Sequence, residues 1–103
     1  MRELPQPPGD QIDLSRVLRA LSDPTRRTIL RALVAGPQPC SAFEVTIAKS
    51  TLSQHLKMLR EAGLTHVRVD GRTHVTSLRA ADIDARFPGL LEATGIRTPP
   101  ADS

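Results

Sequence analysis

The chain has 103 residues, enough for one domain with a single modest core, and it carries a net charge of +3. Its two aromatic residues are both phenylalanines, which argues against base stacking on single-stranded nucleic acid. The single cysteine, Cys40, excludes an intramolecular disulfide. No segment is apolar enough to span a membrane and no signal-peptide pattern is present, so we expect a cytosolic protein.

Two short helices are predicted in the first third of the chain, after a proline-rich segment at residues 1–9 that we expect to be a flexible leader. The first helix begins at Asp10 or Asp13 and has apolar residues at the i, i+3, i+4, i+7 spacing. The second follows Asp23, where a capping residue is followed by proline, and it runs to Gly36.

The first turn of the second helix contains two arginines, Arg26 and Arg27. Positive charge is unfavourable there because the N-terminal end of a helix dipole is itself positive. A negatively charged partner would explain both residues. It is either a nearby phosphate or a carboxylate such as that of Asp23, and the sequence leaves both open.

Residues 40–47 have the least definite pattern. Phe43, Val45 and Ile47 alternate as in a strand, but the position calls for the first helix of a helix-turn-helix pair. We expect a stiff connector at residues 36–39, followed by a short, irregular helical turn.

Residues 50–62 predict a helix with two chemically different faces, ended by Gly63. Leu52, Leu56 and Leu59 lie along one stripe, which would pack against the core. The opposite stripe carries hydrogen-bonding side chains and a cation, the groups that meet base edges and phosphates in a major groove. These side chains are Ser50, Ser53, Gln54 and Lys57.

A β-hairpin is predicted directly after this helix. Residues 64–69 and 72–78 are rich in β-branched side chains and flank Asp70 and Gly71, and an Asp-Gly pair in that setting is a strong hairpin signal. Positive charge gathers here, because residues 49–79 hold six Lys and Arg against two acidic residues. A polar-faced helix followed by a basic hairpin is the winged helix-turn-helix arrangement. The alternative is a helix packed on a hairpin in another kind of small α+β domain.

The two histidines of the hairpin are not predicted to bind one metal ion. With Asp70 and Gly71 as the turn, His66 faces Val75 and His74 faces Val67, so the imidazoles lie on opposite faces.

After the hairpin we expect a helix at residues 80–86, an interruption at 87–89 and a second apolar patch. The chain then divides into the leader, one domain at residues 10–96 and a loose tail at 97–103. Both ends of the domain have more apolar residues than its own core requires, which predicts a homodimer. The residues expected in that interface are Leu14, Val17, Leu18, Leu90 and Leu91.

Three segments resemble the ArsR (ArsR/SmtB) family of bacterial transcriptional repressors: residues 20–27 (ALSDPTRR), 50–64 (STLSQHLKMLREAGL) and 70–72 (DGR). The match extends over roughly residues 13–86. The resemblance implies a mainly helical fold with a β-hairpin wing, in the order α-α-α-α-β-β-α. It also implies a homodimer that binds a twofold-symmetric operator and represses transcription until a signal releases it.

Carried over by this resemblance, the recognition helix falls on residues 49–62 and the wing tip on residues 68–74. Gln54 is the first candidate for a base contact, because Gln can bond N6 and N7 of adenine together. His55 either touches a phosphate or packs against the second helix. The full set of candidate DNA-binding residues is Lys49, Ser50, Thr51, Ser53, Gln54, His55, Lys57, Arg68, Arg72 and His74.

The chain departs from the family in two features. The helix before the recognition helix is shorter, and Ala48 stands where the family commonly has a serine helix cap. Loss of such a cap costs about 0.5–2 kcal/mol unless another residue, here Ser50, replaces it.

No cofactor or metal site is predicted, because neither the family's Cys-x-Cys pair nor a histidine in the terminal helix is present. No enzymatic activity is predicted, because no nucleophile, base and orienting residue have a recognisable spacing and no glycine-rich phosphate loop is present. Two alternatives to the repressor remain at this point. One is a winged-helix module that binds another protein, and the other is a metal or thiol sensor with an unfamiliar site. Cys40 is either a redox switch or inert filling of the core. The operator, the inducing signal and the choice between repressor and activator are not specified.

Overall fold

The computed structural model describes residues 2–43 and 46–98. The helices are α1 (Leu14–Leu21), α2 (Pro24–Ala32), α3 (Lys49–Ala62), α4 (Ala80–Arg86) and α5 (Leu90–Ala93). The strands are β1 (Arg2–Glu3), β2 (Gln38–Pro39), β3 (Thr65–Asp70) and β4 (Thr73–Leu78). This arrangement confirms the winged helix-turn-helix: α3 is the predicted recognition helix, and β3 and β4 form the wing. In the described part of the chain, no helix is long and apolar enough to cross a membrane.

The predicted third helix is reduced to a single 3-10 turn, Cys40–Ala42. The expected stiff connector before it contains β2, which pairs with β4 and was not predicted. Residues 44 and 45, within the segment whose strand-like alternation was noted, lie outside the described residues.

The sheet is antiparallel, with the strand order β1-β3-β4-β2. Asp70 pairs with Thr73, so the two central turn residues are Gly71 and Arg72. The prediction of Asp70 and Gly71 was therefore wrong by one residue. Gly71 has a φ of 63°, and a glycine with positive φ at the first central position is characteristic of type II′ hairpin turns.

The hairpin register nevertheless keeps the two histidines apart. His66 pairs with Ser77 and His74 pairs with Val69. Because side chains alternate between the faces of a strand, the two imidazoles lie on opposite faces, as predicted.

The core lies between the helices and the inner face of the wing. Leu59 of α3 is fully buried, while Leu52 and Leu56 are half-buried and pack against the same cluster, which confirms the predicted apolar stripe. The largest side chains with almost no exposure are Ile12, Ile29, Leu30, Leu59, Leu64, Ile83 and Leu91.

Gly63 ends α3 in the left-handed conformation, with a φ of 90°. A Cβ atom at this position would lie 2.6 Å from Cγ1 of Ile12. Glycine is therefore required here both by the backbone turn and by the close approach of the core.

Both arginines at the start of α2 bond to carbonyls of α1, and the Arg26 charge also acts on the carboxylate of Asp23, one of the two expected partners. A phosphate contact by either arginine stays a prediction. Arg26 donates from Nε to the Ala20 carbonyl at 2.7 Å, and Arg27 donates from Nη1 to the Leu21 carbonyl at 2.6 Å. These carbonyls lie at the C-terminal end of α1, where the helix dipole is negative and favours a cation.

The segment expected to be a flexible leader, residues 2–9, lies against the wing. Residues 2 and 3 form β1, which pairs with β3, and residues 9–11 form a 3-10 turn. The physical reason is that the outer edge of β3 offers unpaired backbone groups, and the N-terminal segment bonds to them.

The predicted loose tail begins with a fixed residue. Arg97 donates to Oδ1 of Asp84 at 2.7 Å and also bonds Glu92, so it links α4 to α5. A loose tail stays a prediction for the residues after Arg97, and residues 99–103 lie outside the described residues.

Candidate nucleic-acid interface

The polar face of α3 is fully presented to solvent. Ser50, Ser53, Gln54 and Lys57 are all exposed, as the helical spacing predicts, while the leucine face behind them packs on the core. Lys49 and Thr51, at the N-terminal end of the helix, are exposed as well. The salt bridges found among the described residues include neither Lys49 nor Lys57. Both ammonium groups are therefore available to an external anion.

The N-terminal end of α3 has no side-chain cap from the part of the chain that the structure describes. Ala48 is the N-cap residue, and no described side chain accepts a hydrogen bond from the first turn, so Ser50 does not replace the missing cap. The first backbone N–H groups of the helix lie at the positive end of the helix dipole, where they have no acceptor among the described residues. Such an end can accept a phosphate oxygen.

His55 is oriented by α2. Its Nδ1 lies 3.1 Å from Nη1 of Arg26, and the imidazole is half-buried. An arginine N–H can only donate, so Nδ1 accepts and Nε2 carries the proton in the neutral ring. The side chain therefore packs against the second helix, which was one of the two predicted alternatives. A phosphate contact by His55 stays a prediction and would use Nε2–H.

The three wing candidates occupy different environments. Arg72 lies in the exposed turn at the wing tip. His74 is exposed, and because it pairs with the buried Val69 it lies on the inner face, towards α3. Arg68 is half-buried on the outer face between Glu3 and Val75, and its Nε has no hydrogen-bond partner among the described residues.

A cavity of about 220 Å³ separates α3 from the wing. Ser53 and Lys57 line it from the helix and His74 lines it from the wing, so it brings candidate residues of both elements to one side of the molecule. Arg68 does not line this cavity. The structure therefore groups His74 with the recognition helix and leaves Arg68 on the far face of the hairpin.

Cys40 is half-buried beside α3, where it borders this cavity and a second one of about 420 Å³. Burial is the main influence on its thiol and raises the pKa of Cys40. The thiol is therefore protonated at neutral pH, and a protonated thiol is a poor nucleophile. This favours inert filling over a redox switch.

The predicted dimer residues fall into two groups. Leu14 and Leu18 are 45% and 48% exposed, one turn apart on α1, so they are available to a second protomer. Val17 and Leu91 have no exposed surface, because both belong to the core of the protomer, and for these two residues the prediction is corrected. Leu90 is half-buried against that core.

Sequence reasoning missed the exposed apolar side chain of Met58, which falls between the two stripes of α3.

No group of three or more His, Cys, Asp or Glu side chains with metal-binding geometry occurs within residues 2–43 and 46–98. His66 instead bonds to Oε1 of Glu3 through Nε2, at 2.8 Å.

Comparison with known proteins gives this geometry a family context. A family described as a helix-turn-helix domain matches residues 21–68, the segment from the end of α1 to the middle of β3. The HTH-type transcriptional regulator YceK of Bacillus subtilis is 44% identical over 87 residues, which are 81% of this chain and 86% of the relative. The arsenical resistance operon repressor of Staphylococcus xylosus is 35% identical over 70% of this chain and 71% of its own length. The chain belongs to the ArsR family of helix-turn-helix transcriptional regulators.

Solved structures of ArsR regulators have the same architecture. A crystal structure of an ArsR family transcriptional regulator superposes with a TM-score of 0.67 at 28% identity, covering 78% of this chain and 90% of that one. The transcriptional repressor BigR from Xylella fastidiosa gives a TM-score of 0.61 at 29% identity, covering 78% of this chain and 83% of that one. ArsR proteins are transcriptional regulators and not enzymes, so this ArsR regulator is not an enzyme.

Proposed function

We propose that this ArsR regulator is a homodimeric repressor that recognises a specific, twofold-symmetric operator in double-stranded DNA. In this proposal α3 enters the major groove and the wing lies beside it. The observation that carries the proposal is the exposed polar face of α3, backed by core leucines and flanked by a basic hairpin. The name of the Staphylococcus xylosus relative supports repression as the outcome of binding.

Base recognition is assigned to the middle of the polar face. Gln54 and Ser53 are neighbouring, exposed side chains at the centre of that face. A Gln amide can donate to N7 and accept from N6 of one adenine, which distinguishes that base from the other three. Ser50 and Thr51 lie one turn earlier, where short hydroxyl groups can bond either bases or phosphates.

Phosphate contacts are assigned to the two ends of the same face. Lys49 lies beside the uncapped N-terminus of α3, and Lys57 lies two turns further along. Each lysine that neutralises one phosphate adds about one unit to the slope of log affinity against log salt concentration. Arg72, His74 and Arg68 are proposed to contact the backbone or the minor groove from the wing.

Dimerisation is assigned to the exposed face of α1. Leu14 and Leu18 form an apolar pair that the protomer does not bury. Burying this pair against its symmetry mate would remove it from water and would place two α3 helices in one particle. The two half-sites of the operator would then lie about 34–36 Å apart, one turn of DNA.

The experiment that tests the proposal begins with selection of the preferred duplex from a random DNA pool. The double variant Ser53→Ala/Gln54→Ala is then compared with wild type on the selected duplex and on random DNA. We expect a loss of about tenfold to a hundredfold on the selected duplex, because a good side-chain pair to a base contributes about 1–3 kcal/mol. Binding to random DNA should change little, because its phosphate contacts remain.

The matched control is Gln11→Ala/Ser15→Ala, which removes the same two side-chain types from exposed positions away from α3. It should bind both DNAs as wild type does. Equal weakening of both DNAs by the Ser53/Gln54 variant would refute the base-recognition assignment. No enrichment of any duplex by the wild-type protein would instead favour a winged-helix module that binds protein.

A further inference from the structure

The N-terminal segment, here called the strap (residues 2–7), bonds to the wing along the outer edge of β3. Its first two residues form β1, in which Arg2 pairs with Val69 and Glu3 with Arg68. The pairing continues beyond β1, since the backbone N–H of Leu4 donates to the Val67 carbonyl at 3.1 Å. The wing is therefore bordered on this edge by a third strand.

A side chain completes the pairing where the strap turns away from the sheet. Oε1 of Gln6 accepts a hydrogen bond from the backbone N–H of Val67 at 3.0 Å. Val67 is thus bonded through both its carbonyl and its N–H, although Pro5 has no N–H with which to continue a strand. Each backbone group of Val67 that faces the strap has a partner from the strap.

The other end of the strap bonds to helical elements. The Pro5 carbonyl accepts from Nη1 of Arg60, near the end of α3, at 2.6 Å. The Pro7 carbonyl accepts from Nη1 of Arg79, immediately before α4, at 2.7 Å. Six consecutive residues therefore connect the wing strand β3 to the recognition helix and to the start of α4.

These contacts affect the two elements on which the proposed DNA binding depends. A two-stranded hairpin is marginally stable by itself, and an additional strand and a packed helix restrict its motion. On the opposite edge, β2 contributes only two residues to the pairing with β4. The strap therefore adds a restraint that joins the wing to α3 outside the core.

We infer that the strap is a positioning element for DNA binding: it fixes the angle between the wing and α3 before DNA arrives. This inference rests on the proposed function. A wing that is already ordered loses less conformational entropy on binding, so the affinity for the operator is higher. Leu4 and Gln6 are the residues that carry this role, and neither is proposed to touch DNA.

The test uses Leu4→Pro/Gln6→Ala, which removes the Leu4 N–H and the Gln6 acceptor without changing the charge of the protein. The controls are Leu4→Ala, which keeps the N–H, and Gln11→Ala, which removes an exposed glutamine outside the strap. Amide hydrogen exchange is measured at Val67, whose acceptor the variant removes, and at Arg68, which pairs with Val75 inside the hairpin and reports the order of the wing itself. It is also measured at Leu64, whose N–H bonds to Leu59 at the end of α3. Affinity is measured on the selected duplex at several salt concentrations.

We expect faster exchange at both Val67 and Arg68, unchanged exchange at Leu64 and operator affinity about tenfold weaker. The salt slope should stay the same, because the same phosphates are contacted once the wing is ordered. A protein that had merely lost stability would exchange faster at Leu64 as well. Gln6→Ala alone, the milder change, should show the same pattern to a smaller extent.

Unchanged exchange at Arg68 would overturn the inference, because the strap would not be holding the wing. Faster exchange at Arg68 with wild-type operator affinity would also overturn it, because wing order would not affect binding. If the wild-type protein binds no duplex specifically, the proposed function fails, while the exchange at Arg68 still decides whether the strap holds the wing.

Discussion

Arg26 and His55 occupy their positions because of a contact between two helices. Arg26 is nearly buried and bonds the carbonyls of residues 19 and 20 as well as Nδ1 of His55. A positive charge is unfavourable at the N-terminal end of α2, but the same charge is favourable at the C-terminal end of α1. Hydrogen bonds from the guanidinium to the carbonyls of α1 reinforce this favourable interaction. The same guanidinium therefore caps α1 and orients one residue of the recognition helix.

At the residue scale, Asp23 gives a prediction about pH. Partial burial acts to raise the pKa of Asp23, but hydrogen bonds from the Arg26 and Thr25 amides, together with the Arg26 charge, outweigh it, and the pKa is lowered. A carboxyl whose pKa is lower in the folded chain stabilises the fold above its unfolded pKa. That contribution is lost as the pH falls through the folded value. The Asp23→Asn variant can still cap α2 through its side-chain oxygen, but it does not titrate.

We therefore expect the free energy of unfolding of wild type to fall more steeply than that of Asp23→Asn as the pH falls below about 4. Denaturant titrations at several pH values measure this difference. Asp10→Asn serves as the control, since Asp10 is exposed and lies outside the helix caps. Parallel curves for wild type and Asp23→Asn would show that the cap does not depend on the carboxylate charge.

At the scale of elements, α3 and the wing could be predicted because their signals are local. Helical spacing alone determines that Ser50, Ser53, Gln54 and Lys57 share one exposed face. The predicted position of the hairpin turn was wrong by one residue, because both Asp70–Gly71 and Gly71–Arg72 place glycine where positive φ is needed. In the observed register each residue of β3 pairs with a residue of β4 two positions from the predicted one. A shift by two positions leaves every side chain on the predicted face of the hairpin. For this reason the separation of the histidines was predicted correctly from an incorrect turn.

The short strands could not be predicted, because their signals are not local. β1 and β2 have two residues each, in proline-rich segments, so neither shows the alternation that indicates a strand. Their order depends on pairing with the edges of the wing, which are remote in sequence. The contact between Arg26 and His55 likewise spans 29 positions and left no local pattern.

At the scale of the whole molecule, the exposed face of α1 predicts the oligomeric state. The double variant Leu14→Gln/Leu18→Gln replaces the exposed apolar pair with polar side chains that suit a helix. Because the protomer core does not use these side chains, the variant should fold normally and sediment as a monomer, whereas wild type sediments as a dimer. Its operator affinity should fall as well, because the two half-sites would no longer be bound by one particle.

Val34→Gln is the control for this experiment, since Val34 is exposed to a similar extent, 42%, and lies beyond the end of α2. It should remain dimeric. A wild-type protein that sediments as a monomer at micromolar concentration, or a Leu14/Leu18 variant that remains a dimer, would contradict the assignment.

The central claim is that the polar face of α3 and the wing meet DNA together. Titrating the isotopically labelled protein with the selected duplex, while following every backbone amide by NMR, tests it most directly. We expect the largest changes at residues 49–57 and at 71–74, with α5 and the outer-face residue His66 little affected. Changes concentrated on α5 or around His66, with residues 49–57 unmoved, would contradict the account.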